Sequence, residues 1–324
     1  MTPTRRTLLA LPSLLPFAAR AQAPWQPNRQ LRLIVPFSPG GSTDVGGRII
    51  AERLSETLGQ PVVVENRTGA GGGIGVEAAA RSAPDGHTML VATNGVLTQA
   101  PHLGLMRAVD VRRELVLLSK IFTTDVIVVV HPSIQAQNLQ DFVAYVRARP
   151  GQLSFASSGV GSGTHIFTEL FMAVTGTQMV HVPYRGSGQA MSDLMNGTVQ
   201  MMLDQPASSI GQVRAGAIRA LATSGPERIA VLPDAPTFTE AGFAAATVQS
   251  WGSIAVPVGT PPAAIERLGA AVREAVAHPS VVTRMAAAGL VAVSNSQAEM
   301  ERFNAQEFER WGEVIRARNI RVTL

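Results

Sequence analysis

The sequence predicts an α/β protein built as two lobes. Short β-rich runs alternate with longer helical segments, and the alternation comes in two separate series, 31–92 and 126–223. In each series an apolar strand also runs through a Gly/Ser-rich turn directly into a helix.

In the first series, Leu31 to Phe37 reads as a buried strand, and Ile34-Val-Pro-Phe-Ser-Pro-Gly-Gly-Ser-Thr-Asp44 carries it through a Pro-Gly-Gly turn. A helix starts at Ser42 or Thr43. Val45, Ile49, Ile50, Leu54 and Leu58 recur at helical spacing, and Gly59 is its stop. Pro61 to Glu65 is the next strand. The glycine-rich loop Gly69 to Gly75 leads into a helix over 76–82, and the turn Pro84-Asp85-Gly86 precedes the strand Thr88 to Ala92. This β-α-β-α-β order predicts a parallel sheet covered by helices.

The second series opens on the β-branched run Val126 to Val130, with a helix near Leu139 to Ala148 and the strand Leu153 to Ala156. Helices over 163–175 and 189–196 then alternate with the strands 179–183 and 199–204, and Ile218 to Thr223 adds one more strand. Pro233, Pro236 and Gly242 mark a loop-rich return to the apolar run Trp251 to Val256. The tail is helical over 262–277, 280–288 and 297–318. Ser296 and Glu299 form a capping box at the start of its last helix.

Residues 1–23 read as a cleavable signal peptide. Arg5-Arg6 form the positive region, Leu8 to Ala19 the apolar stretch, and Ala21-Gln22-Ala23 the small-x-small cleavage pattern. The apolar stretch is too short to span a bilayer, and the arginine pair is compatible with twin-arginine export. Removal lowers the formal charge from +4 to +1, because Arg5, Arg6 and Arg20 leave with it. The mature chain is therefore nearly balanced, with no basic run of the kind that binds nucleic acid.

The chain has no cysteine, which excludes disulfides, thiol nucleophiles and thiolate metal sites. Lys120 is its only lysine, so no phosphate-binding loop of the G-x-x-x-x-G-K-[ST] type exists. The glycines at 69–75 fail the dinucleotide spacing at Ile74, no serine lies in G-x-S-x-G, and the six histidines lack metal-ligand spacing. No catalytic residue, metal or cofactor is expected. What remains are two turns, 39–44 and Ala156-Ser-Ser-Gly-Val-Gly-Ser-Gly-Thr-His165. Each presents backbone N–H groups at the positive end of a helix, an arrangement suited to anions. Asp204 ends a further strand, either as a ligand contact or as a cap of the following turn.

The chain resembles the Bug-type extracytoplasmic solute-binding receptors of tripartite tricarboxylate transporters. The residues that carry the resemblance run through nearly all of the mature sequence. They include Leu33-Ile-Val-Pro-Phe37, Pro39-Gly-Gly-Ser-Thr-Asp44, Gln60-Pro-Val-Val-Val-Glu-Asn-Arg67, Ala83-Pro-Asp-Gly86 and Thr93-Asn-Gly95. Ala156-Ser-Ser-Gly159, His181-Val-Pro-Tyr-Arg-Gly186, Leu232-Pro-Asp234 and Gly259-Thr-Pro-Pro262 continue the series.

The resemblance implies a Venus-flytrap, periplasmic-binding-protein fold of type II with two hinge-crossing strands. Residues 24–123 plus 249–324 would form lobe 1 and 124–248 lobe 2, with hinges near 122–125 and 247–251. It further implies a small organic carboxylate held by Ser38, Pro39, Gly40, Gly41, Ser42, Thr43 and Asp44 of one lobe, with Asn94. From the other lobe come Ser157, Ser158, Gly161, Ser162, Thr164, His165 and Asp204. A periplasmic monomer that serves a membrane permease or a sensor kinase follows from the same likeness. The chain departs from the family at Val109-Asp110-Val111, Glu114-Leu115, Thr68, Gln189 and Gln205. An exported α/β enzyme acting on an acyl or carboxylate substrate is the alternative reading.

Overall fold

The computed structural model describes residues 25–322, so residues 1–23, read above as a signal peptide, lie outside the described residues. The first half of the chain lays down β1 (Leu31–Val35), α1 (Ser42–Leu58), β2 (Val62–Asn66), α2 (Gly73–Ala80) and β3 (Thr88–Thr93). A π-turn at Gly95–Gln99 and a 3-10 turn at Ala100–Leu103 precede the long β4 (Leu115–Thr124). Then follow β5 (Ile127–Val130), α3 (Leu139–Arg147), β6 (Ser154–Ser157), α4 (Gly163–Thr175), β7 (Val180–Pro183) and α5 (Ser187–Met195). The series closes with β8 (Met201–Asp204), α6 (Pro206–Arg214) and β9 (Arg219–Thr223). The chain ends in β10 (Ser250–Pro257), α7 (Pro262–Ala277), α8 (Pro279–Ala287), β11 (Val291–Ala292) and α9 (Gln297–Ala317).

The strands form two sheets, one for each series, in the orders β11-β4-β10-β3-β1-β2 and β7-β6-β8-β5-β9. The expected parallel sheet is only part of the first: β1 pairs in parallel with β2 and β3, whereas β10 runs antiparallel to both β3 and β4. In the second sheet β6 is parallel to β7 and β8, and β5 is antiparallel to β8 and β9. The antiparallel members are the strands on which the chain passes between sheets. β4 hands over to β5 across Asp125–Val126, and the return from β9 enters β10 at Ser250, which pairs with Thr124.

The two passages are stitched together. Val126 N donates to Ser224 Oγ at 2.9 Å, and Ser224 Oγ donates to Val248 O at 2.7 Å. Gln249 Nε2 donates to Asp125 Oδ1 at 3.2 Å, and burial pushes the Asp125 carboxyl pKa up, with that hydrogen bond opposing the rise.

Both faces of each sheet are covered. On the first sheet, Leu33, Val35 and Val91 pack with Ile50, Leu54, Leu268 and Val272 of α1 and α7; the opposite face gathers Ile34, Leu90, Val76 of α2 and Met300 of α9. On the second, Phe142, Val146, Phe167 and Phe171 cover one face, and Ala190 and Leu194 of α5 with Val213 of α6 pack on the other. Helix α9 belongs to both. It starts at the Ser296–Glu299 capping box, buries Met300 in the first core, and ends with Trp311 and Ile315 in the second.

Candidate functional site

Four helices begin at the cleft between the sheets. The cavity there is lined by Gly41, Ser42 and Thr43 at the start of α1, and by Ser162, Gly163 and Thr164 at the start of α4. Ser187 opens α5, and Gln205 is the residue before α6. Each N-terminus carries about half a positive elementary charge on its unpaired N–H groups. Only α4 has a side-chain cap, Ser162 Oγ accepting from His165 N; α1, α5 and α6 have none. Three helix ends thus keep donors for a guest. Phe37, Thr93, Asn94, Ser158 and Ser250 complete the wall, and no lining residue is charged. At this closure the walls leave about 30 Å³, room for about one water.

The wall side chains hold one another. Thr164 Oγ1 accepts from Ser158 N at 2.9 Å and lies 3.1 Å from Ser162 Oγ. Gln205 Nε2 of the second lobe donates to Ser250 Oγ at 2.9 Å, and Ser250 Oγ donates to Asn94 Oδ1 at 3.2 Å. That chain of three links α6, β10 and the end of β3. Ser42 Oγ is buried and has no hydrogen-bond partner among the described residues.

The residues expected at the site divide by position. Gly41, Ser42, Thr43, Asn94, Ser158, Ser162 and Thr164 line the cavity. Pro39 and Gly40 stand exposed at the rim, and Ser38 closes it, with N and Oγ both donating to Arg185 O across the cleft at 3.2 and 3.0 Å.

Asp44, Ser157, Gly161, His165 and Asp204 are not among the lining residues and brace the loops from behind. Asp44 accepts from Gly40 N at 3.1 Å and from Asn66 Nδ2 at 2.8 Å, and pairs with Arg48 at 2.9 Å, so its charge is spent on the turn. His165 Nδ1 accepts from Gly161 N at 3.1 Å, which pins the second loop. Its ring stacks on His181 at 3.7 Å, and His181 Nε2 meets Ser157 Oγ at 2.6 Å. Burial first, and the neighbouring His165 second, lower the His181 pKa to about 3.

Asp204 is fully buried and accepts from Ser187 Oγ (2.7 Å), Ser208 Oγ (2.5 Å) and Ser209 Oγ (3.0 Å). Burial raises its pKa while these hydrogen bonds oppose the rise. Gly163 belongs to the expected loop 156–165, whereas Phe37, Thr93, Ser187 and Ser250 lie outside the expected set. Ser187 follows Gly186 as an uncapped helix start, a signal of the same kind as the two loops, whereas Ser250 reaches the cleft only through strand pairing.

The lobes meet along glycines. An alanine Cβ at Gly95 would lie 2.6 Å from Gly163 N; at Gly188 it would lie 3.1 Å from Pro39 O, and at Gly71 it would collide with Val160 O. Nothing bulkier than a hydrogen separates the backbones there.

Two α/β lobes joined by paired crossing strands, with uncapped helix ends turned into the cleft, define a solute-binding protein of the periplasmic type. The chain belongs to the receptor family of the tripartite tricarboxylate transporters, whose family model (TctC, tripartite tricarboxylate transporter family receptor) matches residues 47–320. It is 38% identical to protein BugT of Bordetella pertussis over 301 residues, 92% of each chain. Among solved structures it is similar to Rpa4515 of R. palustris with adipate, with a TM-score of 0.87 and 32% identity over 91% of this chain and 99% of that one. It is also similar to MatC of Rhodopseudomonas palustris with bound malate, with a TM-score of 0.86 and 30% identity over 89% and 99%. Among the described residues no helix is long and apolar enough to cross a membrane, and no group of three or more His, Asp or Glu is placed to hold a metal ion.

Proposed function

We propose that this receptor is exported through cleavage of residues 1–23 and closes in the periplasm on a small organic carboxylate, which it delivers to a membrane permease. The observation that carries this reading is the convergence of three uncapped helix N-termini, with that of α4, on a cavity whose walls bear no charge. Fixed N–H and hydroxyl donors stabilise a carboxylate without a counter-ion, because charge-assisted hydrogen bonds are about twice as strong as neutral ones. The ligand-contacting set is Gly41, Ser42, Thr43, Asn94, Ser158, Ser162 and Thr164, joined by Ser187, Gln205 and Ser250. Ser38, Pro39 and Gly40 form its rim, and Asp44, Ser157, Gly161, His165 and Asp204 hold the loops in shape. Relatives with adipate and malate support a dicarboxylate as the first class to test.

The moving bodies are residues 24–123 with 249–324 and residues 124–248, hinged at 122–125 and 247–251, with the end of α9 lying across the second body. Guests larger than a water enter as the lobes part, and ligand binding shifts the population toward closure by its preference for the shut state.

The enzyme alternative would rest on Ser157 and His181, and two observations weigh against that pair. Ser157 is fully buried outside the cavity wall, and a histidine with a pKa of about 3 is a poor base at neutral pH. A thermal-shift screen of the mature protein against mono-, di- and tricarboxylates tests the proposal. A ligand at about 100 times its Kd stabilises by about 2.7 kcal/mol, several degrees in Tm. No shift with any acid, together with turnover of an ester or amide, would overturn it.

A further inference from the structure

On the side of the molecule formed by the segment 101–113 and α9 lies a second and larger cavity, of about 570 Å³. Pro101, Met106, Val109, Val111 and Phe308 give it an apolar floor, and Arg107, Arg112 and Arg113 stand around it. Arg112 lies over the Phe308 ring with its Cζ 4.5 Å from the centroid, and Arg107 Nε donates to Gly104 O at 2.9 Å. Neither has a carboxylate partner among the described residues. Asp110, the only acid on the wall, pairs loosely with Arg113 at 3.4 Å. The rim therefore carries a net formal charge of +2, with guanidinium donors to spare. Three of these wall residues, Val109, Asp110 and Val111, form a stretch in which the sequence departs from the family pattern.

We propose that this groove is a docking surface for an acidic, partly apolar segment of a partner protein. The floor fits an aliphatic or aromatic side chain, and the three arginines fit carboxylates around it, a combination that Arg supports through planar, bidentate contacts. A free small acid fits less well, since real small-molecule sites bury about 70–90% of the ligand, and the Arg113 and Asp110 side chains are 86% and 51% exposed. A protein segment brings its own surface to cover them.

The groove is also tied to the state of the cleft. Leu105, one residue ahead of Met106, packs directly against Gly161 in the second clamp loop, and Phe308 belongs to the helix that ends in the second core. Both walls are thus fixed by contacts made with the lobes shut. A partner that reads this groove reads closure, whichever acid the cleft holds.

The test is fluorescence anisotropy of the mature protein with a labelled ten-residue peptide of alternating Glu and Leu. Binding is expected at about 20 mM salt and should weaken at least about tenfold at about 300 mM. It should weaken as much in the triple variant Arg107→Glu, Arg112→Glu, Arg113→Glu, provided its Tm matches the parent, and weaken less in the corresponding triple Lys variant, which keeps the charge but loses the bidentate geometry. Reversing three exposed arginines elsewhere, Arg214, Arg318 and Arg321, should leave it unchanged. The proposal is overturned if the peptide does not bind, if the Gln-for-Glu peptide binds equally, or if the distant reversals weaken binding as much as those in the groove. Equimolar displacement by inorganic phosphate would also overturn it, assigning the groove to small anions.

Discussion

Replacing Gly95 by alanine separates closure from folding. Gly95 lies in the π-turn that follows Asn94, and its φ is not in the left-handed region, so alanine fits the backbone of its own lobe. In the closed molecule the new Cβ would meet Gly163 N at 2.6 Å and Gly163 Cα at 3.2 Å. Both are backbone atoms and cannot rotate away. Restoring an ordinary 3.4 Å contact requires the seam to widen by about 0.8 Å, and overpacking of this kind costs about 1–3 kcal/mol. Only the closed state bears that cost, so affinity for the best acid of the screen should fall about 5- to 150-fold. The open form gains the usual benefit of replacing glycine, about 0.4–1 kcal/mol, and the ligand-free Tm should hold or rise. Isothermal titration together with differential scanning calorimetry reads both quantities. Full affinity in the variant would refute the argument that Gly95 and Gly163 meet when ligand is bound; a lower Tm would show that the clash lies within one lobe.

The other expectations are more local. Gly41→Pro keeps a φ near the observed −81° while removing one clamp N–H, so binding should weaken by one charge-assisted hydrogen bond, about 1.5–3 kcal/mol, with little change in circular dichroism; unaltered affinity would exclude that amide from the clamp. The lowered His181 pKa means that the folded state holds this ring neutral while the unfolded chain protonates near 6.5. Its contribution is complete above pH 6.5 and declines as pH falls toward about 3. The ideal loss at pH 5 is about 2 kcal/mol, or about half that once solvent screening of the partly exposed ring is allowed for; urea titrations should show the slope shrinking in His181→Gln. Trp311→Ala empties a fully buried site beside Phe167, 5.6 Å away between ring centroids, and should cost about 3–5 kcal/mol of stability by chemical denaturation. A loss below about 1 kcal/mol would mean that the end of α9 adds little to the second core.

Much of this architecture is local in origin and for that reason readable from the chain. The β–α alternation, the stop at Gly59 and the reciprocal bonds between Ser296 and Glu299 depend on neighbours within a few residues, and the helices form where the spacing places them. β4 escaped because Leu115 to Leu118 is apolar on both faces of a covered sheet and Ser119-Lys120 then interrupts the run, so it shows neither strand alternation nor helical spacing. α6 was hidden behind Gln205-Pro206, which reads as a turn, although proline at the first helical position is also a start signal. The mixed strand directions follow from pairing across more than a hundred residues, Ser250 with Thr124, which no local pattern encodes. The site divides in the same way. Loops that lead into helices announced Gly41 to Thr43 and Ser162 to Thr164, but whether a polar side chain faces the cavity or braces a loop depends on tertiary contacts. Asp44 and Asp204 look alike in sequence to ligand contacts, and each turns its carboxylate toward its own lobe.

Helix α9, packed in both cores, offers an optical readout of the proposed closure. Of the three tryptophans, Trp251 packs against this helix and Trp311 belongs to it. Trp251, on β10, makes an edge contact with Phe303 at 5.3 Å, and Trp311 packs in the core of the second sheet. Under the proposed swing of one lobe against the other, a helix packed in both cores cannot follow both, and an indole that loses its aromatic neighbour changes its emission. Ligand-induced closure is therefore expected to register as a change in intrinsic fluorescence that Trp251→Phe abolishes and Trp25→Phe leaves intact.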